Sequence, residues 1–164
     1  MSRKALAFTS ITLASIVASG CVGNDAVVFV EPDIEGAEIT VTEKALGTDL
    51  AGSFRLVLLL GPRASGPSQV SLQSFDLMNA DQTKVIVPAL KTKTDTTFPV
   101  TVELDSTVSA VLTIDLGGAL LPASAASDLC GAGGLKIAGS IQDSLQSGGA
   151  TPVASPVFQP KGCP

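Results

Sequence analysis

The stretch Phe98–Leu116, FPVTVELDSTVSAVLTIDL, decides the fold class of this chain. Apolar and polar side chains alternate through Phe98–Leu104, pause at Asp105-Ser106 and alternate again through Val108–Leu116. A period of two residues is typical of a β-strand that buries one face. Because Asp and Ser both favour turns, the pattern predicts one β-hairpin whose turn lies at Asp105-Ser106.

Short segments with similar composition recur along the chain, and residues that favour turns separate them. They are Ala26–Glu31, Ala37–Glu43, Ser53–Leu60, Gln69–Leu77, Thr83–Val87, Leu135–Gln142 and Val153–Phe158. Ser53–Leu60 is apolar at both parities, which predicts a strand at the centre of the core. The apolar phase slips within Gln69–Leu77, so we expect a β-bulge near Gln73-Ser74. Pro99 and Pro156 cannot donate to a ladder and predict edge positions or bulges.

These strands predict an all-β fold, a two-sheet antiparallel sandwich of about seven to nine strands. One helical turn is expected around Pro122–Leu129. The arrangement resembles an immunoglobulin-like sandwich in outline. The chain has no Trp and no Tyr, and its cysteines lack the inter-sheet spacing of that family. The sequence therefore predicts the architecture without a family.

The first 21 residues have the pattern of an export signal. Arg3 and Lys4 precede an apolar run, Ala5–Val17, which leads into the small residues before Cys21. This segment resembles the lipobox signal of bacterial lipoproteins. The resemblance implies a cleaved peptide 1–20 and an acylated Cys21 at the start of a short tether 21–25. The remaining length, 26–164, is that of a single domain, which is the predicted sandwich. The alternative is an ordinary signal-peptidase site, which would leave Cys21 as a free thiol.

In the lipoprotein family the residue after the cysteine directs sorting, and Val22 at this position implies the outer membrane of a two-membrane bacterium. Removal of residues 1–20 takes away two basic residues and no acidic one, so the formal charge changes from −5 to −7. A negative surface repels phosphates. We therefore expect a membrane-attached protein with no nucleic-acid partner.

Cys130 and Cys163 are the other two cysteines, and in an exported chain they are most simply a disulfide. The entropic model assigns about 3 to 4 kcal/mol to such a cross-link. A soft-metal site is the alternative. It requires about four nitrogen or sulfur ligands, and this chain has no His.

The lack of His removes the commonest acid/base group and the His-dependent nucleophile systems. A cluster of carboxylates precedes the second predicted strand and would lie in a turn: Glu31, Asp33, Glu35 and Glu38. A solvated loop explains it, and a calcium site is the sharper hypothesis, because clustered loop carboxylates supply the oxygen ligands that calcium prefers. No other cofactor is expected.

Two functions from different classes follow. The first, which the lipoprotein resemblance favours, is a lipid-anchored, non-catalytic binding or structural module of the cell envelope, whose partner is an envelope protein or polymer. The second is a small carboxylate-dependent envelope enzyme that acts on glycans. Its catalytic pair would come from the acidic cluster or from Glu103 and Asp105.

Overall fold

Nine strands and one short helix make up the computed structural model, which describes residues 27–163. The predictions about the signal peptide and Cys21 lie outside the described residues. The elements are β1 (Glu31–Lys44), β2 (Gly47–Leu60), β3 (Ser68–Asn79), β4 (Val85–Val87), β5 (Thr92–Thr94), β6 (Val100–Val102), β7 (Ser106–Ile114), α1 (Ser124–Cys130), β8 (Leu135–Asp143) and β9 (Ala150–Ala154).

Two antiparallel sheets pack face to face, which confirms the predicted sandwich. The first sheet has the strand order β1-β2-β7-β5, and the second has the order β4-β3-β8-β9, with β6 also paired to β3. Between the sheets lies a core of aliphatic residues from both inner faces. The rings of Phe54 and Phe75, one from each sheet, have centroids 5.2 Å apart.

The strand predicted for the core's centre is β2, and it has a neighbour on each side. Its side chains Phe54, Leu56, Leu58 and Leu60 are all buried. Val57 and Leu59 point to the other face and are half-buried. The central position is therefore confirmed, and the inner face alone carries the fully buried residues.

The turn expected between Ala26–Glu31 and Ala37–Glu43 is wrong, because β1 runs through that region, and the first predicted strand overlaps β1 at Glu31 alone. Residues 27–30 precede the strand. The pairing with β2 shifts between Glu35 and Glu38, where one extra residue forms a bulge. Gly36 has a φ of +58°, a conformation that Gly adopts without steric cost. The bulge, rather than a turn, accounts for the break in apolar phase.

The predicted hairpin is also wrong, although both of its strands exist. β6 pairs with β3 in the second sheet, whereas β7 pairs with β2 and β5 in the first. The chain crosses between the sheets at residues 103–105, and Asp105 has a φ of +53° there. Alternation specifies which side chains are buried, but a strand of either sheet can bury the same side chains in the common core.

Several smaller predictions are confirmed. The pairing of β3 with β8 shifts between Leu72 and Phe75, where the bulge was expected. Helix α1 lies in the predicted region. Pro99 precedes β6 and Pro156 follows β9, so both lie outside the strands, whereas edge positions or bulges within strands were expected. The three-residue strand β5 was not predicted, because its sequence Thr-Lys-Thr contains no apolar residue.

Strand β5 lies at an edge of the first sheet, where Lys93 forms an ion pair with Asp115. The hydrogen bond from Lys93, together with one from the Gly117 amide, lowers the pKa of the Asp115 carboxyl. The same partner raises the pKa of Lys93. The ion pair between Lys93 and Asp115 therefore stabilises the fold at pH values between the ordinary pKa of an Asp carboxyl and that of a Lys amine. It is lost as the pH falls through the lowered pKa of Asp115 or rises through the raised pKa of Lys93.

The C-terminal segment fastens the two sheets together. The Ser155 amide donates to the Ile137 carbonyl at 2.8 Å, so the segment first follows β8. It then crosses to the edge of β1, where the Val41 amide donates to the Lys161 carbonyl at 2.8 Å. Cys163 ends this path in a disulfide with Cys130 of α1, the pairing expected from the sequence.

Replacement of both cysteines by Ala is expected to release this segment and lower the free energy of unfolding by about 3 to 4 kcal/mol, the chain-entropy value for a cross-link of this length. The Val41 amide should then lose its protection against hydrogen exchange, because the Lys161 carbonyl is no longer held beside it. Thermal melting and exchange measured by NMR would test this. Lys161→Ala is the matched control, since it removes only an exposed ion pair. A double variant that keeps the stability and the Val41 protection would contradict the prediction.

Candidate functional site

The acidic cluster forms a row along the edge strand β1. Glu31, Asp33 and Glu35 face outward opposite Leu59, Val57 and Arg55 of β2. The bulge then places Glu38 on the same outer face, opposite Ser53. All four carboxylates are exposed. Alternate residues of a strand lie about 6.6 Å apart, so the row extends over roughly 20 Å.

The four carboxylates of this row do not converge on a common centre. Glu35 contacts Arg55 at 3.8 Å, and Glu38 contacts Lys161 Nζ at 2.8 Å. Within residues 27–163, no group of three or more His, Cys, Asp or Glu side chains is placed to hold a metal ion. Calcium takes six to eight oxygens around one centre. These four residues lie along a strand and not in the turn that the sequence predicted for them. Charged side chains along an edge strand hinder its pairing with other chains.

The carboxylates considered for catalysis are also far from a paired arrangement. Glu31 and Asp33 stand side by side on β1 above an open depression of about 350 Å³, which Val57 and Leu59 line. Glu103 and Asp105, which lie outside the acidic cluster, are exposed in the connection between β6 and β7. Glycosidase carboxylates instead face each other across the scissile bond. The structure does not bring the predicted residues into such a geometry.

A carboxylate that the sequence reasoning missed lies buried at one end of the sandwich. Asp143, the last residue of β8, is 1% exposed. Its Oδ2 accepts a hydrogen bond from the Val30 amide at 2.7 Å, and its Oδ1 accepts from the Leu145 amide at 2.8 Å. The Ser68 hydroxyl also hydrogen-bonds Oδ1. The sequence did contain a signal for this burial. Asp143 lies an even number of residues from Ile137 and Ile141, whose side chains point into the core.

Asp143 fixes the place where the chain enters the sandwich. Val30 precedes β1 in the first sheet, whereas Ser68 and Asp143 belong to the second sheet, so this one side chain joins both sheets and the entering segment. The Val30 side chain is buried beside it. We call this end of the molecule the entry end. The opposite end, which contains the turn between β1 and β2, is the distal end.

Two depressions in the surface of the sandwich offer contact surfaces, one beside Asp143 at the entry end and one beyond the end of β7, toward the distal end. One, of about 370 Å³, is lined by carboxamide and hydroxyl groups that include Gln69, Gln142 and Gln146. The other, of about 200 Å³, is mainly apolar and includes Leu116 and Leu120. Their lining groups suit contact with uncharged ligands or with the side chains of another protein.

Asp143→Asn is expected to lower the free energy of unfolding by about 1 to 3 kcal/mol, because an amide nitrogen would face a backbone or hydroxyl donor and leave it unpaired in the interior. The Val30 amide should also exchange faster. Urea denaturation and hydrogen exchange would measure the two effects. Gln142→Ala, at the exposed neighbouring position, is the control and should change stability by less than about 0.5 kcal/mol. Equal stability of Asp143→Asn and the parent chain would contradict the stabilising role of the Asp143 carboxylate at the entry end.

No protein-family model matches the chain, and no curated protein matches its sequence. Among solved structures, it is similar to self-complemented MyfA, the major subunit of Myf fimbriae from Yersinia enterocolitica, in complex with galactose. The TM-score is 0.39 and the identity 13%, over 79% of this chain and 98% of that one. A second similarity is to the ASH/PapD-like domain 7 of human CEP192, with a TM-score of 0.32 and 12% identity, over 92% of this chain and 99% of that one. Both similarities are too low to support a functional inference. Among the described residues, no helix is both long and apolar enough to cross a membrane.

Proposed function

We propose that this chain is an exported bacterial lipoprotein, anchored through acylated Cys21, whose β-sandwich is a non-catalytic binding or structural module of the cell envelope. The pattern of residues 1–21 supports export and acylation. Val22 favours the outer membrane in a bacterium that has two membranes. The proposed partner is an envelope protein or polymer.

The observation that carries the proposal is the position of the entry point. Val30, nine residues after Cys21, is already buried and bonded to Asp143. Residues 22–26 therefore have little length in which to separate the anchor from the body. A full extension of about 3.3 to 3.6 Å per residue limits the distance from Cys21 to Val27 to roughly 20 Å. Such a tether keeps the sandwich beside the membrane.

The rest of the body suits a contact role. The interior is filled with aliphatic side chains, and the carboxylates of β1 lie outside it along an exposed edge. The mature charge of −7 disfavours anionic polymers as partners. Uncharged side chains line most of the two depressions, with Asp143 in one and Lys91 in the other. We therefore propose that the sandwich contacts an uncharged or basic surface of an envelope component.

Intact-mass measurement of the mature protein from bacterial membranes would test the anchor directly. We expect loss of residues 1–20, a diacylglycerol and an amide-linked acyl chain on Cys21, and a further deficit of two hydrogens for the disulfide. Cys21→Ser should abolish acylation and move the protein from the membrane fraction to the aqueous fraction, because the lipid supplies the attachment.

The control for this experiment is the Cys130→Ala and Cys163→Ala double variant, which retains Cys21 and should remain in the membrane fraction. A full-length chain with an uncleaved leader in the aqueous fraction of wild-type cells would refute the proposal. Equal membrane retention of Cys21→Ser would show that something other than the lipid holds the protein there.

A further inference from the structure

We infer that the entry end rests on the bilayer, with Val28, Phe29 and Leu104 in contact with the headgroup region, so that the sandwich stands upright and its distal end points away. This inference rests on the proposed lipid anchor at Cys21. It goes beyond that anchor because it names the protein surface that touches the membrane and the surface that is free for a partner.

Exposed apolar side chains flank the tether. Phe29 is 46% exposed and Val28 is 43% exposed, although the next residue, Val30, is buried. The structure describes five Phe residues, and Phe29 is the exposed one among them. Aromatic side chains that lie beside a membrane anchor can place their apolar rings at headgroup depth. The burial of Val30 fixes Phe29 at the surface next to the tether.

A second strand end brings another apolar side chain to the same place. Leu104 is 38% exposed and precedes β7 by two residues, as Phe29 precedes β1 by two residues. Strand β2 lies between them, since Leu59 pairs with Glu31 on one side and with Thr107 on the other. Two strand spacings amount to about 10 Å. Both side chains therefore project from one end of the first sheet.

The length of the strands separates this end from the distal end. Strand β1 has 14 residues, which at about 3.3 Å per residue make roughly 43 Å. Leu46, in the turn between β1 and β2, is 91% exposed at the far end. A tether of about 20 Å can hold the entry end against the bilayer while the turn stays remote.

Charge at the entry end selects the kind of bilayer surface. Glu31, Glu103 and Asp105 are exposed there, with Arg63 as the basic residue of the neighbouring loop. Anionic headgroups would repel this net negative charge. The contact therefore suits a zwitterionic surface, and the apolar side chains reach the boundary between the headgroups and the acyl chains but not the centre of the acyl core.

Single-Trp fluorescence would test this orientation, because the chain contains no Trp. The variants Phe29→Trp, Leu104→Trp, Val111→Trp and Leu46→Trp each place an indole at an exposed apolar position. Each lipidated mature variant would be reconstituted in phosphatidylcholine vesicles with or without brominated acyl chains. We expect the indoles at positions 29 and 104 to lose about half of their emission to the bromines or more, since they lie near the acyl boundary.

The other two variants are the controls. Val111 lies on the outer face of the first sheet, and Leu46 lies at the distal end, so neither indole should be quenched. Replacement of phosphatidylcholine by phosphatidylglycerol should weaken the quenching at positions 29 and 104. Melting curves would confirm that each variant is folded.

The outcomes separate the two proposals. Quenching at 29 and 104 alone supports the upright orientation. Quenching at 111 as well means that the sandwich lies on its first sheet, which overturns the inference. A protein whose mass shows lipid on Cys21 but whose indoles are all unquenched overturns the inference and leaves the proposed function standing. A mature protein without lipid on Cys21 overturns both.

Discussion

The whole architecture depends on burying one face of every long strand against the opposite sheet. This constraint is visible where the apolar phase breaks. The inner face of β1 carries Ile34 and then Ile39, an odd number of residues apart. Both side chains are buried, because one extra residue at the bulge between them resets the phase. In β3 the same device brings Val70 and Phe75 to one face. The contact between Phe75 and Phe54 across the core is a consequence of that bulge.

The sequence supports prediction of the faces better than of the connections. A phase slip within Gln69–Leu77 predicted the bulge in β3, whereas the segment around Gly36 was predicted to be a turn between two strands. The local residues favoured that error, because Pro32, Asp33 and Gly36 all suit turns. What decides between a bulge and a turn is the partner. Strand β2 offers 14 continuous residues for pairing, and this tertiary contact overrides the local preference.

For the same reason, the alternation of apolar and polar residues could not predict which strands pair with each other. Strands β6 and β7 have the alternation of a hairpin, yet they belong to different sheets. Of the site residues, the cysteine pair could be predicted because few alternatives exist for two thiols in a chain that is expected to be exported. The acidic residues were identified, but their arrangement was not, since it follows from the bulge. Asp143 was missed because the predicted strand Leu135–Gln142 ends one residue before it, whereas β8 extends to Asp143.

Asp143 connects the packed core to the segment that leads from the proposed anchor. A buried carboxylate is costly unless donors compensate for its lost hydration, and here two amides and one hydroxyl do so. An apolar residue at this position would leave the Val30 amide without a partner in the interior. The carboxylate therefore specifies one path for the entering chain rather than simply adding stability. Because six residues can span at most roughly 20 Å, the proposed anchor at Cys21 would leave the position of the sandwich to the path of the entering chain and not to a long linker.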